Sequence, residues 1–153
     1  LPLAAVIARG DLDVAEDLAL GHYTHEKNPV LAAAALAALD VIEADALVER
    51  AARLGAYALA RLEEMARTRP LIGEVRGAGL LIGIDLVEPD GGPAIQAAER
   101  VLYAALRRGL AFKTTMGNVL TLSPPLVIAR EDLDRAIDIL LESIDAVSEP
   151  AAV

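Results

Sequence analysis

Apolar residues recur along this chain with two periods, and the switches between them mark its elements. Leu3 to Ile7 is a short continuous apolar run, the pattern of a buried strand. Asp11 to Leu18 suits a short acidic helix capped by Asp11, followed by a polar loop from Ala19 to Lys27. Asn28-Pro29 then starts a helix: Asn accepts from orphan amides as N-cap, and Pro at the first helical position has no N–H to waste. Val30 to Ile42 is apolar nearly all round, which predicts a helix buried on most sides. After an acidic break at Glu43 to Asp45, Ala46 to Thr68 is amphipathic. Leu47, Ala51, Leu54, Ala58, Leu62 and Met65 recur at helical spacing, with Glu49, Arg50, Arg53, Arg61 and Glu64 opposite. Pro70 forbids further helix, because its ring clashes with the preceding turn.

Leu80 to Val87 reads as a central strand in which Gly83 permits a close approach, and Glu88 to Pro93 as an exposed turn. Ala94 to Arg108 is a helix ended by Gly109. Leu110 to Thr114 and Val119 to Leu122 form two strands around a turn at Met116-Gly117-Asn118. Glu131 to Val147 is a last amphipathic helix, ahead of a frayed tail at Ser148 to Val153. The order helix, helix, strand, helix, strand, strand, helix predicts the α/β class, as a small sandwich with helices over one sheet face.

Composition narrows the chemistry. With 153 residues, 55% hydrophobic but only 3% aromatic, the core must be built from Ala, Leu, Ile and Val. That favours helices on a small sheet over an aromatic-rich β-sandwich. A net charge of −9 speaks against nucleic acid as partner, since phosphate backbones need clustered Lys and Arg. The absence of cysteine removes disulfides and thiolate metal sites. No apolar run reaches the roughly eighteen residues of a membrane span, and the opening residues lack a signal-peptide pattern.

The densest polar cluster is His22, Thr24, His25, Glu26 and Lys27. As a metal site, His22 and His25 with Glu26 have neither the spacing of a helical zinc motif nor its inverse. Two readings stay open: a solvated loop capping the next helix, or an anion site. In the second, Thr24 adds a hydroxyl ahead of a helix N-terminus whose free amides and dipole favour phosphate. Gly77, Gly79 and Gly83 do not form a dinucleotide fingerprint, because their spacing is wrong and a strand follows where a helix should begin. Lys27 and Lys113 are the only lysines. One lies in a polar loop and the other beside a turn, neither being the desolvated setting of a Schiff-base lysine.

Three segments in order resemble a known family. They are Gly21-His-Tyr-Thr-His-Glu-Lys-Asn-Pro29, Val75-Arg-Gly-Ala-Gly-Leu80 and Asn118-Val-Leu-Thr-Leu-Ser-Pro-Pro-Leu126. Together they are similar to the C-terminal part of the class III aminotransferases, the acetylornithine and 4-aminobutyrate type of fold type I enzymes dependent on pyridoxal phosphate. The resemblance covers nearly the whole chain. It implies that residues 1–28 end the large cofactor domain, and that 29–153 are a connecting helix and the small C-terminal domain. It also implies that Thr24 reaches the cofactor phosphate of the other subunit in a homodimer. His-Glu-Lys replaces the commoner Phe-Gly-Gly here, so no role passes to His25 or Lys27. Val75 to Leu80 would enter the small-domain sheet, with Arg76 fixing the strand instead of touching substrate.

The family's catalytic lysine precedes a Leu-Pro-Leu-Ala-Ala-Val-like strand, which is how this chain opens. The resemblance therefore implies a Schiff-base lysine just upstream of Leu1 and a chain inert by itself. A cytoplasmic parent enzyme is also implied. Thr121 is the informative departure. Family members acting on α-amino acids carry an Arg there, whose planar fork grips a carboxylate through two hydrogen bonds. Branches without it include amine and β-amino-acid transaminases, aminomutases, and lyases of amino-phosphates or amino-phosphonates. Thr121 as mere β-branched strand filling is the plainer alternative. As substrate-binding candidates we take Thr121 and Lys113, with Thr114 and Thr115 as nearby donors. The expected function is amino transfer between an amine or amino acid and an oxo acid. The alternatives are lyase or aminomutase chemistry on an amino-phosphonate or amino-phosphate, and a non-enzymatic binding or dimerisation module.

Overall fold

A computed structural model of the chain describes residues 3–12, 14 and 28–148. It divides into two compact units, Leu1–Ala46 and Leu47–Val153.

In the first unit, α1 (Pro29–Ala44) begins as its sequence dictates. The Asn28 side chain accepts a 2.9 Å hydrogen bond from the Val30 amide, and Pro29 takes the first helical position. No residue of α1 is buried, which corrects the expectation of a helix enclosed on most sides. An apolar surface predicts burial only if something packs against it. Among the described residues of this unit the only other regular element is the 3-10 turn Gly10–Leu12. That turn stands where an acidic helix from Asp11 was expected, of which residues 13 and 15–18 lie outside the described residues. Leu3 to Ile7 also departs from expectation. These residues form no strand, and Val6 and Ile7 are 95% and 97% exposed. A strand exists only through a partner's ladder, and no partner is present among the described residues.

The second unit is an α/β sandwich. Helix α2 (Leu47–Ala66) is followed by β1 (Ile72–Ala78), β2 (Leu81–Leu86), α3 (Ile95–Arg107), β3 (Lys113–Thr115), β4 (Val119–Leu122) and α4 (Arg130–Ser148). The four strands form one antiparallel sheet in the order β1-β2-β4-β3. Strand alternation assigns the two faces. On β2, Ile82, Ile84 and Leu86 are fully buried, while Leu81, Gly83 and Asp85 point to the opposite side. Leu120 and Leu122 of β4 join the buried face. Against it pack Ala58 and Leu62 of α2, Ala98 and Val101 of α3, and Leu133, Ile137, Leu140 and Ile144 of α4. The helices thus cover one face of the sheet, as predicted.

One strand more is present than the periodicity indicated. Strand β1 carries Gly73, Glu74, Arg76 and Gly77, which dilute its β-forming residues and hide it from periodicity, although the family resemblance places Val75 to Leu80 in the sheet. It is an edge strand with an irregularity between Ile72 and Glu74, and it pairs with β2 from Ile72↔Leu86 to Ala78↔Leu81. Its turn demands glycine at Gly79, where φ is +55°. Helix α3 ends as expected, with Gly109 at φ +92° and the Leu110 amide donating back to the Ala105 carbonyl at 3.0 Å. Among the described residues no helix is long and apolar enough to cross a membrane.

Candidate functional site

The face of the sheet away from the helices carries the polar residues singled out in the sequence. Strands β3 and β4 form a hairpin whose turn places Met116 at φ +53° and Gly117 at φ +90°. The turn sets the register Thr115↔Val119, Thr114↔Leu120 and Lys113↔Thr121. Lys113 and Thr121 are therefore direct cross-strand neighbours, about 5 Å apart at Cβ, and share a face. Thr115 joins them diagonally: its hydroxyl lies 2.9 Å from that of Thr121. Thr114, by alternation, points to the opposite side. On its other flank Thr121 pairs with Gly83, which has no side chain to cover it. Gly83 in turn pairs with Arg76. One row thus crosses all four strands: Arg76, Gly83, Thr121, Lys113.

The two cations of that row differ. The Arg76 guanidinium donates to Asp85 at 2.5 and 3.0 Å and to Glu74 at 2.8 Å. Its hydrogen bond to Asp85 holds its pKa above the ordinary arginine value, with partial desolvation opposing. Arg76 is committed to its own carboxylates and ties β1 to β2, in line with a strand-fixing role. No ion pair engages Lys113 among the described residues.

Lys113↔Thr121 is also the last rung of the hairpin. Beyond it the two strands part, and Pro124 and Pro125 have no N–H with which to continue a ladder. The gap is a cavity of about 710 Å³. Leu110, Phe112, Leu122, Ile128, Leu133 and Ile139 make its apolar wall, and Lys113, Thr121, Ser123, Asp132 and Arg135 supply polar groups. Arg50 of α2 fastens the chain after the prolines, donating to the Leu126 carbonyl at 2.6 Å and to that of Ile128. An apolar pocket with a few convergent polar groups is the usual form of a small-molecule site.

The structure brings Lys113 and Thr121 together. Thr24, the cofactor-phosphate candidate, lies outside the described residues, as do His22, His25 and Lys27. Sequence reading missed the pairing of Thr115 with Thr121 and the part played by Arg50, which was placed on the solvent face. Strand alternation would have separated Thr115 from Thr114 once the register was known. Nothing local to Arg50 reveals the carbonyls it meets far along the chain.

Comparisons with known proteins identify the family. The family model described as Aminotransferase class-III matches residues 1–144. The chain is 42% identical over 149 residues to an (R)-1-hydroxy-2-aminoethylphosphonate ammonia-lyase of Vibrio splendidus, covering 96% of this chain and 31% of that protein. To the diaminobutyrate–2-oxoglutarate aminotransferase of Rhizobium meliloti it is 37% identical over 162 residues, covering 99% and 34%. Among solved structures, a PLP-bound amine transaminase from an uncultivated Pseudomonas species matches with TM-score 0.80 and 33% identity, over 86% of this chain and 31% of that one. The chain thus spans about a third of the length of the curated relatives it matches. With the family model extending over most of its length, and with transaminase structures sharing its sandwich, the chain belongs to the class III aminotransferases.

Proposed function

We propose that the protein carrying this chain is a pyridoxal-phosphate enzyme that moves an amino group between an amine or amino acid and an oxo acid. This chain would supply part of its substrate side. The observation that carries the reading is the Lys113–Thr121 rung at the mouth of the cavity. It presents an ammonium and a hydroxyl where α-amino-acid enzymes of the family would set a guanidinium fork. A point charge with dispersed hydroxyls accepts anionic groups of several shapes, whereas the fork selects a planar carboxylate. Amines, β- or ω-amino acids and amino-phosphonates therefore suit this surface better than glutamate does.

The described residues do not by themselves build a cofactor cradle. Lys113 is the one lysine among them, and it stands on an exposed edge strand. When bound, the cofactor supplies the electron sink; the protein supplies orientation and charge. In this reading the catalytic lysine precedes Leu1, and Thr24 grips the cofactor phosphate of the other subunit in a homodimer. Residues 1–28 belong to the cofactor domain and 29–153 to the connecting helix and small domain. The chain alone is inert, and the parent enzyme is cytoplasmic. A second reading, lyase chemistry on an amino-phosphonate, is favoured by the 42% identity to the Vibrio splendidus ammonia-lyase.

The test is turnover by the full-length enzyme with glutamate, β-alanine, 1-phenylethylamine and 2-aminoethylphosphonate as amino donors. One of the last three is expected to exceed glutamate. Formation of an oxo acid, aldehyde or ketone with amino transfer to an acceptor marks a transaminase, and release of ammonia from 1-hydroxy-2-aminoethylphosphonate, whose hydroxyl can depart in an elimination, marks a lyase. Efficient glutamate turnover undiminished by Thr121→Ala refutes the substrate assignment. A stoichiometric pyridoxal phosphate adduct on Lys113 or Lys27 of the isolated chain, mapped after borohydride reduction, refutes the placement of the lysine.

A further inference from the structure

We propose that Thr115 is a positioning residue for Thr121, and that the two hydroxyls act with Lys113 as one donor set for the anionic group of an amine substrate. This rests on the substrate-side reading of Lys113 and Thr121 given above.

The geometry is specific. The Thr115 and Thr121 hydroxyls lie 2.9 Å apart across the hairpin, although neither residue is the other's direct cross-strand partner. Each hydroxyl has one proton and two lone pairs. A bond between them uses one proton and leaves one for a ligand. Which hydroxyl keeps the free proton depends on the direction of the bond. If Thr115 donates to Thr121, the proton of Thr121 stays free for a ligand beside Lys113, on the sheet face that the two residues share. An anionic oxygen beside Lys113 selects that direction. The Thr121 bond to it is then charge-assisted and further polarised by the bond it receives.

The surroundings leave the pair no competing partner on the row. Gly83 offers no side chain, and Arg76 is held by Asp85 and Glu74. Thr114 faces the other way and does not replace Thr115. The backbone of Thr115 is fixed by the tight turn that follows it, with positive φ at Met116 and Gly117. Its branched side chain has few rotamers to lose when it holds Thr121.

The experiment measures, in the full-length enzyme, the ratio of kcat/KM for anionic amines (2-aminoethylphosphonate, β-alanine) to that for 1-phenylethylamine, which has no anion. Thr121→Val is expected to lower this ratio about 10-fold, the loss of one hydrogen bond to a charged group. Thr115→Val, an isosteric change, should lower it in the same direction through KM. Thr115→Ser should restore the ratio to within about 2-fold of wild type, and Thr115→Val/Thr121→Val should be no worse than Thr121→Val alone. If Thr121→Val lowers the ratio and Thr115→Val does not, the positioning role is overturned while the substrate-side reading stands. Equal losses on both amine classes with Thr115→Val mark a merely structural role and overturn it too. If the wild type handles neither anionic amine, or Thr121→Val leaves the ratio intact, the underlying reading falls and the proposal falls with it.

Discussion

Gly55→Ala should unfold this domain at lower denaturant, against the ordinary rule for helices. In an exposed helix interior the change from glycine to alanine stabilises by about 1 kcal/mol, because glycine has the greater freedom to lose. Gly55 is instead a buried position of α2, set against the β1–β2 turn. A Cβ there would lie 2.0 Å from the Gly79 carbonyl oxygen, 2.3 Å from its carbon and 2.7 Å from its Cα. Ordinary contact begins at 3.4 Å, so helix and turn would have to separate by more than about 1 Å. The obstacle is backbone on both sides and has no rotamer to yield. A gap of that size forfeits a quarter to a half of the dispersion attraction between the facing atoms, of which Ala51, Ala58 and Leu62 carry much on α2. Overpacking typically costs about 1–3 kcal/mol, and a backbone clash belongs at or above the upper end. After subtracting the helix gain, a net loss of about 2 kcal/mol or more remains. Urea unfolding followed by far-UV circular dichroism measures it as a lower midpoint at unchanged slope. A midpoint equal to or above wild type would refute the packing argument.

Three further outcomes follow from the same structure. Ile84→Ala, at a fully buried position of the central strand β2, should cost about 2–5 kcal/mol in the same unfolding assay. Gly109→Ala meets no atom within 4 Å, so its cost is the left-handed backbone alone, about 1 kcal/mol; a larger loss would reveal a contact the structure does not contain. Asp85→Asn should destabilise by a margin independent of pH near neutrality. Because the Arg76 pKa is raised on folding, its contribution is complete below the ordinary arginine range and lost only as pH climbs through the folded value. Unfolding midpoints of both proteins at several pH values around neutral check this, and a pH-dependent margin would point to another titrating group.

The legible parts of the chain were those where a local rule suffices. The apolar stripe of α2 was readable because helical periodicity belongs to neighbours in sequence. So were the Asn28-Pro29 start, the Gly109 stop and the Met116–Asn118 hairpin turn, each a demand of local backbone geometry. Strand β1 was not legible from periodicity, because its glycines and charges suit an edge position that exists only once β2 is beside it; only the family resemblance put Val75 to Leu80 in the sheet. Gly55 carried no warning either, since its significance is the carbonyl of Gly79 against it. Leu3 to Ile7 and α1 show the reverse error. Apolar pattern states what a segment could bury, and partners decide what it does bury.

For the candidate site the division is similar. The order of three motifs resembled the family closely enough to name it, and that resemblance marked Thr121 as a departure at a position where a guanidinium fork would otherwise stand. Residue types and spacing are one-dimensional properties. Sequence could place Lys113, Thr114 and Thr115 near a turn, but it could not rank them. Register decided that, because a shift of one residue sends every side chain to the other face of the sheet. The observed register sets Lys113 opposite Thr121, brings Thr115 to 2.9 Å from it and turns Thr114 away. Only the three-dimensional pairing of strands, ended where the double proline stops the ladder, sets Lys113 and Thr121 together at the edge of a cavity.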